Sequence, residues 1–192
     1  MIALVKYNAG NIASVQNALN RLGAESILTD DPNLIRTADK VIFPGVGEAG
    51  TAMNYLKQQR LDEVILSLNK PFLGICLGLQ LMCKSSEEGN TSCLGIFDTQ
   101  VRCFPPQDKV PHMGWNNCIN QKGPLFGGIE TTDDMYYVHS FYAEPCLQTV
   151  ATCDYILPFS AALQQDNYYA VQFHPEKSGT VGQQMLQNFL NL

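Results

Sequence analysis

One junction, Phe72-Leu73-Gly74-Ile75-Cys76-Leu77-Gly78, constrains the fold of this chain more than any other segment. Residues 71–75 read as a buried apolar strand, and helical spacing takes over at Leu77 and runs to about residue 84. A strand that passes into a helix with almost no loop is a building block of α/β folds. The same alternation recurs through the first half of the chain. Residues 2–7, 26–28 and 40–43 are strand-like, and Ile12, Val15, Leu19 and Leu22 recur at helical spacing up to Gly23, a C′ stop. Asn8-Ala9-Gly10-Asn11 reads as the turn that leads into this first helix. After Pro44-Gly45-Val46-Gly47 a helical region runs with interruptions to about residue 68. The second half is richer in strands, over residues 101–104, 115–119, 135–142, 149–153 and 168–173. A last amphipathic helix carries Val181, Met185, Leu186, Phe189 and Leu190. The pattern predicts one α/β domain over residues 1–192, with a largely parallel sheet.

Composition excludes several classes. At 192 residues and a formal charge of -6, the chain has no basic footprint for nucleic acid. No apolar stretch approaches the roughly 20 residues needed to span a bilayer. The opening apolar run stops at Lys6, too early for the core of a signal peptide, so a cytoplasmic location is expected. The seven cysteines are odd in number and contain no Cys-x-x-Cys pair, which argues against a disulfide framework or a zinc site. Most of them suit small buried positions.

Cys76 is different, because it stands at the strand-to-helix turn with a glycine two residues to either side. That is the cysteine version of a nucleophile elbow. Side chains at the flanking positions would crowd the turn and an approaching substrate. The helix start offers free backbone N–H groups and a partial positive charge, which suit an attacking thiolate. A buried cysteine beside glycines used for close packing has the same local sequence.

A cysteine nucleophile needs a base, and the chain has three histidines, His112, His139 and His174. In Gln172-Phe173-His174-Pro175-Glu176, Pro175 biases His174 toward an extended conformation, where residues two apart share a side. Glu176 can then fix the imidazole's tautomer and support its charged form. His139, in a strand-like aromatic run, suits a structural role, and His112 sits in a turn-rich segment without an acidic neighbour. The Pro44-Gly45-Val46-Gly47 loop can present the N–H groups of Val46 and Gly47 to an oxyanion, with the N–H of Leu77 as a further donor. An ordinary tight turn would also fit this loop.

Gly74-Ile75-Cys76-Leu77-Gly78-Leu79-Gln80 and Phe173-His174-Pro175-Glu176 together resemble class I, triad-type glutamine amidotransferases. Tyr7-Asn8-Ala9-Gly10-Asn11-Ile12, Lys109-Val110-Pro111-His112-Met113-Gly114-Trp115-Asn116 and Tyr137-Val138-His139-Ser140-Phe141 narrow the likeness to the glutaminase subunits of imidazole glycerol phosphate synthases. It covers essentially the whole chain. The resemblance implies a flavodoxin-like three-layer α/β sandwich and a Cys76–His174–Glu176 triad that splits L-glutamine into glutamate and ammonia. It also implies that Gln80 and Glu88 contact the substrate, Glu88 at the α-amino group, and that the backbone of His139, Ser140 and Phe141 holds its carboxylate end. A solvated surface charge remains an alternative for Glu88. The resemblance further implies a heterodimer with a (β/α)8-barrel cyclase, docked near Asn11, Trp115, Asn116 and Lys177, with no metal or other cofactor. Trp115, the sole tryptophan, could equally be buried in a core.

There are three departures from the family pattern, one of them Asn8-Ala9, which replaces a more acidic or glycine-containing variant of the first turn. Phe141 replaces a common tyrosine, which removes a hydroxyl and leaves the backbone. Val46 is β-branched, which restricts the loop and suggests that the partner sets it. A glutaminase for another acceptor pathway, a stand-alone cysteine hydrolase and a non-catalytic binding subunit remain as other readings.

Overall fold

The computed structural model describes residues 1–7 and 12–192. The expected turn over residues 8–11, Asn11 included, lies outside the described residues. In the first half, strands β1 (Ile2–Val5), β2 (Ser26–Thr29), β3 (Lys40–Gly45) and β4 (Phe72–Cys76) alternate with helices α1 (Ile12–Arg21), α2 (Pro32–Thr37), α3 (Ala49–Gln58), α4 (Leu61–Leu66) and α5 (Leu77–Met82). Short strands β5 (Ser85–Ser86) and β6 (Thr91–Ser92) follow, then β7 (Gln100–Cys103), β8 (His112–Asn117), β9 (Asp134–His139) and β10 (Phe141–Ala143). The chain closes with β11 (Thr149–Tyr155), β12 (Leu157–Gln165), β13 (Tyr168–Val171) and α6 (Gly179–Leu190).

Seven strands form the central sheet in the order β11-β12-β13-β4-β3-β1-β2. β2, β1, β3, β4 and β13 run parallel, and β12 and β11 extend one side antiparallel. Side chains alternate across the pleat and feed two cores. Ile2, Leu4, Ile42, Leu73 and Ile75 pack on one face with α1 and α6, whereas Ala3, Val5, Val41, Phe43 and Phe72 pack on the other with α2, α3 and α4. Helices on both faces of a largely parallel sheet make the three-layer α/β sandwich that was expected.

Several boundaries move for local reasons. α1 stops as anticipated, with Gly23 at φ +71° and the Ala24 N–H on the Leu19 carbonyl. The turn-rich segment around His112 is in fact the start of β8, which pairs antiparallel with β9 from His112↔His139 onward. The strand expected over 115–119 therefore starts three residues earlier and ends at Asn117; Ile119 instead makes an isolated bridge to Thr152. The single strand expected over 135–142 breaks at Ser140, because β9 pairs with β8 whereas β10 pairs with β7.

Candidate active site

The strand-to-helix junction is as tight as the sequence implies. Cys76 ends β4 with φ 54° and ψ −110°, a conformation that is strained for a side chain with a Cβ. The positions two residues to either side favour glycine. A Cβ on Gly78 would collide with the Phe43 carbonyl, and one on Gly74 would press on the Met82 sulfur. The Cys76 side chain emerges into a cavity of about 370 Å³, lined among others by Gly45, Val46, Gly47, Leu77 and His174. That volume falls in the usual range for small-molecule sites, about 300–1,000 Å³.

His174 reaches this cavity from the end of β13, the neighbour of β4 in the sheet. Its Nδ1–H donates to Glu176 Oε1 at 2.8 Å, with both side chains buried. The route to that contact differs from the extended pairing expected. His174 itself is extended, but Pro175–Lys177 forms one 3₁₀ turn, since the fixed φ of proline favours a helical first residue. The turn curls the carboxylate back onto the ring. Burial opposes a charge on His174, yet Cys76 and Glu176 outweigh it and push the imidazole up to about 10. Nε2 meets no partner in regular hydrogen-bond geometry, although Cys76 lies near enough for its sulfur to favour the charged ring.

The residues expected to contact the substrate line the same cavity. Glu88 Oε2 accepts the Ala49 N–H at 2.8 Å, which ties it to the start of α3. Burial pushes the Glu88 carboxyl up, the Ala49 N–H opposes this, and neighbouring Glu48 adds to the rise. A cationic ligand group would relieve that cost. Gln80, one helical turn past Cys76, is buried, and its Nε2 donates to the Phe141 carbonyl at 2.9 Å and to Gln172 Oε1 at 3.0 Å. Both amide hydrogens are thereby committed, so Gln80 can meet a ligand only through its Oε1. His139, Ser140 and Phe141 also line the cavity, as does Gly47, whose φ of +123° suits glycine.

Gln172 was given no role by sequence reasoning. It is fully buried, and its Nε2 lies 3.7 Å from Cys76 Sγ as a donor. The same two-residue spacing that linked His174 to Glu176 would have flagged it. The other cysteines are free thiols without a comparable setting; Cys83, Cys118 and Cys153 are buried, Cys93 and Cys146 half-buried and Cys103 exposed. Burial pushes the Cys118 and Cys153 thiols up to about 12. Among the described residues no group of His, Cys, Asp or Glu is arranged to hold a metal, and no helix is long and apolar enough to cross a membrane.

Away from the cavity, Trp115 is 58% exposed, which rules out the core position. It meets the Tyr136 ring edge-on at 5.8 Å, and Lys177 Nζ lies 5.8 Å from the centre of the same ring. Asn116 belongs to the other face of β8. Its side chain turns inward to the Asp154 carbonyl and to His112.

A fold of this topology with a cysteine elbow and a His–Glu pair has counterparts among known proteins. The family model for class-I glutamine amidotransferases matches residues 4–192. The HisH subunit of imidazole glycerol phosphate synthase from Bacteroides thetaiotaomicron is 58% identical, over 100% of this chain and 99% of that protein. The corresponding subunit from Vibrio cholerae is 44% identical, over 100% of this chain and 98% of that protein. Among solved structures, PurLQS from Thermotoga maritima shares the fold with a TM-score of 0.75 at 16% identity, covering 99% of this chain and 97% of that one. The chain belongs to the class-I glutamine amidotransferase family, within the group of HisH subunits of imidazole glycerol phosphate synthase.

Proposed function

We propose that Cys76, His174 and Glu176 carry out the glutaminase reaction of an imidazole glycerol phosphate synthase, which serves histidine biosynthesis. The observation that carries this reading is the strained Cys76 elbow opening onto the cavity that also holds His174, itself paired with Glu176. Sγ attacks the side-chain amide carbon of glutamine, and the oxyanion is met by the N–H of Leu77 and by the loop N–H groups of Val46 and Gly47. The charged His174 gives a proton to the leaving nitrogen, and ammonia departs. His174, now neutral, takes a proton from the water that attacks the thioester, and glutamate is released with Sγ restored. Glu176 holds the ring through Nδ1 in both steps.

Glu88 meets the α-amino group, Gln80 accepts through Oε1, and the bend at His139, Ser140 and Phe141 receives the α-carboxylate. Residues 1–192 act as one amidotransferase domain in the cytoplasm. A synthase subunit has a partner, and the finer reading is a (β/α)8-barrel cyclase that takes up the ammonia to form imidazole glycerol phosphate. The exposed Trp115, with half-buried Lys177 near the same Tyr136 ring, supports a docking surface there. Asn116 would contribute from its edge, and Asn11 remains part of the proposal outside the described residues. The β-branched Val46 supports a loop that the partner sets into its productive conformation.

Glutamine hydrolysis by the purified chain, with and without the cyclase and its nucleotide substrate, tests the whole reading. Activity that rises on docking is expected, and equal rates would remove partner control of the loop. The glutamine analogue 6-diazo-5-oxo-norleucine should label Cys76. Labelling that survives Cys76→Ala would overturn the assignment of the nucleophile.

A further inference from the structure

His112 has no part in the proposed chemistry, yet its hydrogen bonds lead to the glutamine cavity. The chain of donors has one self-consistent direction. The Phe141 carbonyl can only accept, so the ring nitrogen 2.7 Å from it, His139 Nδ1, carries a proton. Burial holds His139 down at about 3 and His112 at about 4, so both rings are neutral near pH 7. A neutral His139 with its proton on Nδ1 has only a lone pair at Nε2. The atom facing that lone pair at 3.0 Å is His112 Nδ1, which must therefore donate. His112 Nε2 is then an acceptor, and it faces the Asn116 amide nitrogen at 3.4 Å. Stacking of the His112 ring on Tyr155 at 4.0 Å and on Tyr137 at 4.8 Å holds its plane while it donates.

The same Phe141 carbonyl also accepts from Gln80 Nε2, whose second hydrogen goes to Gln172, and Gln172 donates to Cys76 Sγ. Two donors thus share one carbonyl. One comes from His139, backed by His112, and the other from the helix that follows the nucleophile. The bend at Ser140 and the Cys76 sulfur are held in a single frame. Fixed separation between a substrate's anchor and the attacking atom is what orientation in catalysis requires.

We propose that His112 is a positioning residue for glutamine: by donating to His139 it fixes the Nδ1–H tautomer and holds the bend over residues 139–141 in binding geometry. The inference rests on the reading that this bend receives the substrate's carboxylate end. Substrate binding is the step it affects. Removing the donor should loosen the anchor with little change at the sulfur, and so raise KM more than it lowers kcat.

The experiment uses the full chain in complex with the cyclase, and three forms of residue 112. His112→Phe keeps the aromatic stacking and removes the donor, whereas His112→Asn places an amide N–H close to the position of Nδ1. His112→Phe should raise KM for glutamine about tenfold, the size expected for one buried hydrogen bond, with kcat within about threefold. His112→Asn should return KM to within about threefold of the wild type. Independently of any variant, ¹⁵N NMR of the wild type at pH 7 should find His139 neutral with its proton on Nδ1. A proton on Nε2, a charged ring, an unchanged KM in folded His112→Phe, or an equal rise in His112→Asn would each overturn the inference alone. A wild-type complex that hydrolyses no glutamine would overturn the functional reading and the inference together.

Discussion

The two groups of buried histidines in this molecule behave in opposite ways. His174 is 2% exposed, His112 3% and His139 5%, so burial does not distinguish them. Yet His174 is pushed up to about 10, whereas His112 and His139 are held down at about 4 and 3. The difference lies in what each ring faces. His174 faces the Glu176 carboxylate and the Cys76 sulfur, whereas His112 and His139 face each other, an amide and a carbonyl. Burial alone makes a histidine neutral, and only paired anions reverse it. One group can carry a proton; the other is a fixed ladder of donors.

The largest test removes the anion. Glu176→Gln should lower the His174 pKa, although Cys76 still favours the charged ring, and lower glutaminase kcat by about 10⁴-fold, the loss seen when a triad carboxylate is neutralised elsewhere. A fall of less than about tenfold in steady-state assays would break the contrast.

Stability should then show two limbs of different origin. A histidine whose folded pKa is raised stabilises the protein below its unfolded value, near 6.5, and that stability is lost as pH rises through about 10. Urea unfolding between pH 7 and 10 should show this decline, and Glu176→Gln should flatten it. For His112 and His139 the sign is reversed. The unfolded chain takes up protons below about pH 6.5 that the folded rings refuse, so stability is present above that value and is lost as pH falls toward 4 and 3. His112→Phe should make the acid limb shallower, while costing about 1–3 kcal/mol at pH 7 through the unpartnered His139 Nε2. An acid limb unchanged by that substitution would remove His112 from the account.

The smallest effect is expected at the ring that stacks on His112. Tyr155→Leu removes an aromatic contact and should cost about 1 kcal/mol, read as a Tm lower by about 2–4 °C, with kcat for glutamine unchanged. A change in kcat would show that the ladder reaches the chemistry, not just binding.

Much of the charged group was legible in the chain itself. Cys76 between its glycines, and His174 two residues before Glu176, are local signals, and the structure brings them to one cavity. The neutral group was not legible. His112 and His139 lie 27 residues apart and meet because β8 pairs with β9 in that register. The longest strand was missed for a related reason. β12, Leu157-Pro158-Phe159-Ser160-Ala161-Ala162-Leu163-Gln164-Gln165, has little β-branched character and is a strand because β11 and β13 flank it. α2 also went unread, although Asp31 followed by Pro32 is a local helix start, with the Asp31 side chain accepting the Asn33 N–H.

Sequence alone determined the order of the four strands in the first half and the glycine-flanked elbow. These depend on periodicity, sterics and neighbours within a few positions, which a chain carries in one dimension. Tertiary structure decided which polar groups share a cavity with Cys76, that Gln172 reaches its sulfur, and which buried histidines hold a charge. Those outcomes depend on burial and on partners brought from distant strands, and neither exists until the sheet has assembled.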